Sequence, residues 1–136
     1  MNVPVSLALK VRQRAGYRCE FCRMSQSLQE ASFHIEHILP RVHGGETALP
    51  NLALACPGCN LHKADRTHAK NPGTGEIVSL FHPRKHSWGD HFEWVAFRLE
   101  GKSPEGGATV ALLKQNHPRR LLIRKAEHGF GLFPPD

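Results

Sequence analysis

The four cysteines of this chain fall as two C-x-x-C pairs, Cys19/Cys22 and Cys56/Cys59, with none left over. No other feature limits the possible folds so strongly. Two intervening residues let the backbone turn and present both sulfurs of a pair to one point, so four thiolates can surround one tetrahedral ion. In a reducing compartment such pairs read as a metal site before they read as disulfides. Closed coordination by four cysteines makes the expected ion a structural zinc, which ties residues 19–22 to whatever follows Cys56. Two redox-active pairs are disfavoured, because no thioredoxin-like βαβ pattern surrounds either. The 33 residues between Cys22 and Cys56 exceed the gap of a compact zinc ribbon, so a folded element must lie between the knuckles.

That interval reads strand, loop, strand, helix. Residues 33–38, FHIEHI, alternate apolar and polar side chains at their start and end near Pro40, as a short half-buried strand does. His34 and Glu36 share one face of such a strand, and Phe33, Ile35 and His37 take the other unless it twists or ends at Glu36. Gly44-Gly45 supplies a turn, and residues 51–55, NLALA, form a second apolar run. Pro57 suits the opening of a helix through about Asp65, since its missing N–H has no helical partner there anyway. Ahead of the first knuckle, Val5 to Ala15 lacks helix breakers and is expected to be helical.

Beyond residue 70, Asn71-Pro72-Gly73-Thr74-Gly75 is a dense turn cluster. Strands are expected over 77–81 and 92–99, a turn region over 101–107, and helices over 108–116 and 118–127, parted at His117-Pro118. Residues 129–136, with two prolines, read as a frayed tail. Phe81, Trp88, Phe92, Trp94 and Phe97 read as a small core rather than a base-stacking platform, because their spacing follows the candidate strands. The 136 residues have the size of one domain. The expected class is α+β: a zinc-knuckle module over residues 1–70 and a small C-terminal α/β extension over 71–136, packed as one domain.

Eighteen Lys and Arg against twelve Asp and Glu give a formal charge of +6. That excess suggests a polyanionic partner without naming one. Part of it gathers in the first 23 residues, where Lys10, Arg12, Arg14, Arg18 and Arg23 face the single acid Glu20. This arm suits a phosphate-facing surface as well as a solvated helix face. Arg119, Arg120, Arg124 and Lys125 read as a solvated helix face unless a bound nucleic acid extends that far. No run of about 18 apolar residues exists to span a bilayer. The first residues lack a basic n-region and a small-residue cleavage signature, so the expected compartment is the cytoplasm.

The run His34-Ile35-Glu36-His37-Ile38-x-Pro40, then Gly44-Gly45, Asn51-Leu52 and Cys56-x-x-Cys59-Asn60-x-x-Lys63, resembles the HNH endonuclease motif in its zinc-knuckle variety. The resemblance covers about residues 17–66. Phe81-His82-Pro83-Arg84 and the stretch from Trp88 to Trp94 also resemble the extension of one bacterial subgroup of that family. What the resemblance implies is a ββα-metal fold and a DNA endonuclease, expected to nick double-stranded DNA, with a homodimer as one route to double-strand cuts. His37 corresponds to the general base, Glu36 to the acidic ligand of a catalytic Mg²⁺ or Mn²⁺, and Asn60 to the remaining ligand of that ion. Asn51 matches the middle asparagine, which shapes the loop and holds the base ring in its tautomer. His34 sits where some members place another active-site histidine. Lys63 matches a helix lysine that contacts phosphate; independently of the resemblance, Arg14 and Arg18 of the basic arm are expected to contact nucleic acid. One departure is Glu36 itself, where most members carry Asp and the carboxylate sits one methylene closer to the backbone.

The residue types suit the chemistry. Phosphodiester hydrolysis needs a base for water and a cation to neutralise charge on phosphate and leaving oxygen. Histidine, with an ordinary pKa of about 6.5, is mostly neutral at pH 7 and can act as that base. A carboxylate and an amide oxygen suit a hard cation that keeps several waters. The spacing His-x-Glu-His is not the helical His-Glu-x-x-His of zinc proteases. A competing expectation is a non-catalytic zinc-ribbon module that binds nucleic acid; such a binder has no need of an acid at Glu36.

Overall fold

The computed structural model describes residues 3–135. The chain divides into two compact units, Met1–Thr67 and His68–Asp136.

The first unit opens with α1 (Val5–Arg14), as expected, and leaves it through Gly16 and Tyr17, both at positive φ. The first knuckle follows. Strand β1 (His34–His37) pairs antiparallel with β2 (Leu52–Ala55), Glu36 lying opposite Ala53 and His37 opposite Leu52. Helix α2 (Pro57–Lys63) follows at once, with Pro57 in its first turn. It stops two residues short of Asp65, because Ala64 takes positive φ (50°) and leaves the helical path. Val11, Phe21, Phe33, Leu52 and Leu54 are buried and form the apolar centre of this unit.

Two devices hold the hairpin in place. Glu20, inside the first knuckle, donates its N–H to Leu54 O (2.8 Å) and accepts the Leu54 N–H on its carboxylate (2.8 Å), so the knuckle lines the outer edge of β2. From α1, Arg12 donates to Phe33 O (2.9 Å), just before β1. Arg14 donates to Leu49 O (3.0 Å) and to Leu52 O, at the start of β2. These bonds tie α1 to backbone carbonyls at the starts of both strands.

The second unit holds two further antiparallel hairpins. Strand β3 (His68–Lys70), unforeseen from the sequence, pairs with β4 (Ile77–Ser79), and the Asn71–Gly75 turn joins them. Strand β4 ends before Leu80; Phe81 turns its N–H to Thr109 Oγ1 instead (2.9 Å). A short helix α3 (Trp88–His91) leads into β5 (Phe92–Val95) and β6 (Arg98–Gly101). The single strand expected over 92–99 is thus a tight hairpin, reversed where Ala96 takes positive φ (54°).

Helix α4 (Pro104–Leu112) starts four residues earlier than expected, within the stretch read as a turn. Ser103 caps it by accepting the Gly106 N–H (2.9 Å), with Pro104 in the first turn. Its glycines serve close approach: a Cβ on Gly106 would lie 2.1 Å from His91 O, and one on Gly101 would lie 2.3 Å from Gly107 N. Helix α5 (Pro118–Gly129) completes the unit. Arg119 and Lys125 are exposed, as expected, but the other two basic residues of the expected solvated face are not. Arg120 and Arg124 are buried, and Arg124 donates to Phe97 O (2.8 Å) and Gln115 O (2.6 Å), where the β5–β6 turn and the end of α4 present carbonyls. The tail is held as well, Phe133 being buried with its ring 4.8 Å from Trp94 and 5.4 Å from Phe97. Phe81 and Phe92 pack edge to face at 5.1 Å in the core, as the core reading of the aromatics requires. No described helix is long and apolar enough to cross a membrane.

Candidate active site and metal centre

All four cysteines are buried and none is in a disulfide. Their sulfurs lie within 4.8 Å of one another, and Cys22 Sγ is 3.7 Å from Cys56 Sγ. A tetrahedron with zinc–sulfur bonds of about 2.3 Å has edges of about 3.8 Å, so the cluster has the size of a closed zinc site. Among the described residues it is the one group of three or more His, Cys, Asp or Glu able to hold a metal. Local backbone shapes each half. Cys19 donates its N–H to Met24 O (2.9 Å) and accepts from Arg23 N (2.8 Å), with Arg23 at positive φ. Cys56 caps α2, its sulfur accepting the Cys59 N–H at 3.4 Å. Burial pushes the Cys19 and Cys59 thiols well above their ordinary value, as do sulfur neighbours. Zinc is held by thiolates, so its binding to such a cluster releases protons and couples to folding.

The second group lies at the end of β1. His37 is half-buried, and its Nε2 shares a hydrogen bond of 2.9 Å with Thr47 Oγ1. With Nε2–H as donor, the Nδ1 lone pair has no partner among the described residues. Burial, and then the charge of Arg41, holds this ring below the ordinary histidine value. Asn51 acts elsewhere. Its Oδ1 accepts from Leu39 N (2.8 Å), and its Nδ2 donates to Leu39 O (3.0 Å) and Glu46 O (2.8 Å). It closes the 38–51 loop, while the contact to the His37 ring is made by Thr47. The same loop needs Gly45, where a Cβ would lie 1.7 Å from Leu39 O.

Glu36 points to the other face of β1, toward α2, and is buried. Burial raises its carboxyl above the ordinary value, and Lys63 opposes that shift. Lys63 itself is only 2% exposed, with Nζ 3.4 Å from Glu36 Oε1 and 3.1 Å from Ile38 O. Lys63, expected at a phosphate, is engaged here in an internal ion pair. Glu36 Oε2 makes no hydrogen bond among the described residues. Asn60 lies one turn before Lys63 on the same face of α2, half-buried, and its side-chain amide makes none either. Carboxylate and amide oxygens left open in this way suit a hard divalent cation by donor chemistry.

His34 starts β1 exposed, opposite Ala55, and is not brought to His37. Arg14 and Arg18 spend guanidinium donors internally, Arg14 on Leu49 O and Leu52 O, Arg18 on Arg23 O (2.8 Å). Thr47, Glu20 and Arg41 were not singled out in the sequence. A lone threonine or arginine in a loop carries no periodic signal, and Glu20 was visible only as a charge.

Residues 19–66 match the family model described as HNH endonuclease. The matched stretch runs from the first cysteine to just beyond α2, and includes both knuckles, His37, Glu36, Asn51 and Asn60. No curated protein and no solved structure matches the chain.

Proposed function

We propose that this chain is a divalent-metal-dependent DNA endonuclease that hydrolyses phosphodiester bonds by nicking, built on a ββα-metal module. In this reading His37 Nδ1 takes a proton from the water that attacks phosphorus in line with the 3′-oxygen, and the departing 3′-oxygen takes a proton from solvent, leaving 5′-phosphate and 3′-hydroxyl ends. Thr47 fixes the ring so that Nδ1 keeps its lone pair, and Asn51 holds the loop on which Thr47 sits. Glu36 and Asn60 are the residues that would hold Mg²⁺ or Mn²⁺, and such an ion, when bound, supplies charge neutralisation at the phosphate and leaving oxygen. The zinc-sized cysteine cluster is structural and joins the β1–β2 hairpin to both knuckles. One site of this kind serves one strand, so a double-strand cut requires a dimer or two encounters.

The observation that carries the reading is the pairing of adjacent residues at the end of β1. His37 has an open Nδ1 on a ring held from behind, and Glu36 beside it has an open carboxylate oxygen. The competing reading, a non-catalytic zinc-ribbon module for nucleic acid, draws on one fact: Glu36 already has a cationic partner in Lys63. Relaxation of supercoiled plasmid with Mg²⁺ or Mn²⁺ separates the two. The endonuclease converts supercoiled to open-circular DNA and His37→Ala does not. Absence of wild-type nicking with either ion, or full activity of His37→Ala, refutes the reading.

A further inference from the structure

The three cations that the sequence pointed to for nucleic acid are occupied: Lys63 with Glu36 and Ile38 O, Arg14 with Leu49 O and Leu52 O, Arg18 with Arg23 O. A phosphodiester arriving at His37 needs a different positive partner. Arg41 is four residues on from His37, exposed, and makes no side-chain hydrogen bond or ion pair among the described residues. Its backbone position is fixed by a closed turn. The 41–43 turn is closed by His43 N–H to Pro40 O (2.9 Å), Gly44 N–H to Arg41 O (3.0 Å) and Gly45 N–H to Pro40 O (3.0 Å). Gly44, at φ 91°, ends that turn, and the tight seat of Gly45 against Leu39 O anchors it to the loop that Asn51 closes.

We propose that Arg41 is the residue that binds the phosphodiester backbone of the substrate strand beside His37, in the place that the buried Lys63 cannot fill. A planar guanidinium on a fixed turn can donate two hydrogen bonds to one phosphate, which positions the strand without reading its bases. The assignment rests on the endonuclease reading for the identity of the ligand.

The test measures binding of a fluorescently labelled 20-bp DNA duplex over a salt series, in a His37→Ala background so that the duplex stays intact. Arg41→Ala is expected to weaken binding roughly tenfold, and to lower the slope of log K against log salt by about 1, as loss of one phosphate contact does. Arg41→Lys should restore the slope and only part of the affinity. In the chain with His37 intact, Arg41→Ala should raise KM for nicking more than it lowers kcat. Unchanged affinity and slope in Arg41→Ala would overturn the assignment. So would an equal loss from Lys125→Ala, which removes the same charge from an exposed position on α5. If the wild type nicks nothing while Arg41→Ala still lowers the slope, the endonuclease reading fails and the phosphate contact stands.

Discussion

The ammonium of Lys63 bridges the Glu36 carboxylate, at 3.4 Å, and the Ile38 carbonyl, at 3.1 Å, so α2 grips β1 on both sides of His37. A buried pair of this kind gives weak net stabilisation but is costly to break from one side, because the remaining charge is left without a partner.

Lys63→Met should therefore destabilise the chain by about 3 kcal/mol at pH 7, the lower end of the cost of removing one partner of a buried pair. The deficit is pH-dependent with a definite sign. Glu36 binds its proton more tightly folded than unfolded, so its contribution falls as pH rises from the unfolded range near about 4.3 through its raised folded value. Urea unfolding of the zinc-saturated variant should show a smaller deficit at pH 5 than at pH 7. An equal deficit at both would mean that Glu36 does not carry the effect.

Thr47→Val keeps the shape of the side chain and deletes the hydrogen bond to His37 Nε2. Stability should change by about 1 kcal/mol or less. Nicking should fall roughly 10–100-fold in kcat, as for other losses of a ligand-orienting contact, with KM nearly constant. Thr47→Ser should recover most of the rate. A full rate in Thr47→Val would show that the ring needs no such support.

The acid limb of the nicking profile should lie below the ordinary histidine range near about pH 6.5, because burial and the Arg41 charge both disfavour the imidazolium. Neutral His37 is the base, so a lowered value preserves activity to lower pH. Arg41→Ala should move the limb upward. A limb above 6.5 in the wild type would contradict the environment of this ring.

Metal analysis of the purified chain should find about one tightly held zinc. Chelation should remove it slowly and abolish the near-ultraviolet signal of residues 1–67, because Cys56 caps α2 and Cys19 sets the turn that seats Glu20 on β2. Cys56→Ser should do the same without chelator. A zinc-free chain with unchanged spectrum and stability would refute the four-cysteine site.

The legible parts of this molecule were those written in short-range pattern. Two C-x-x-C pairs announced the cluster, alternation around Ile35 announced β1, and Pro57 announced the start of α2. The misread parts depended on approach between distant segments. Gly106 and Gly107 look like turn residues, yet they lie in α4, which Ser103 caps, and Gly106 has no room for a Cβ beside His91 O. Arg120 and Arg124 looked solvated, yet backbone carbonyls around Arg124 draw its guanidinium inward. Ala96 reverses β5 into β6 at a positive φ that no alanine advertises.

The candidate site divides along the same line. The residue types at its centre are written in the chain order: cysteines spaced for one ion, a histidine beside a carboxylate, an asparagine just past the second knuckle. What each of them touches came from packing between distant segments. That packing turned Lys63 inward to Glu36, gave the His37 ring to Thr47 rather than Asn51, and left Arg41 outside with its charge unspent. The physical reason is that spacing along a chain sets identity and local conformation. Whether a cation is buried with a carboxylate or left to meet a phosphate depends on desolvation and on partners supplied from other segments.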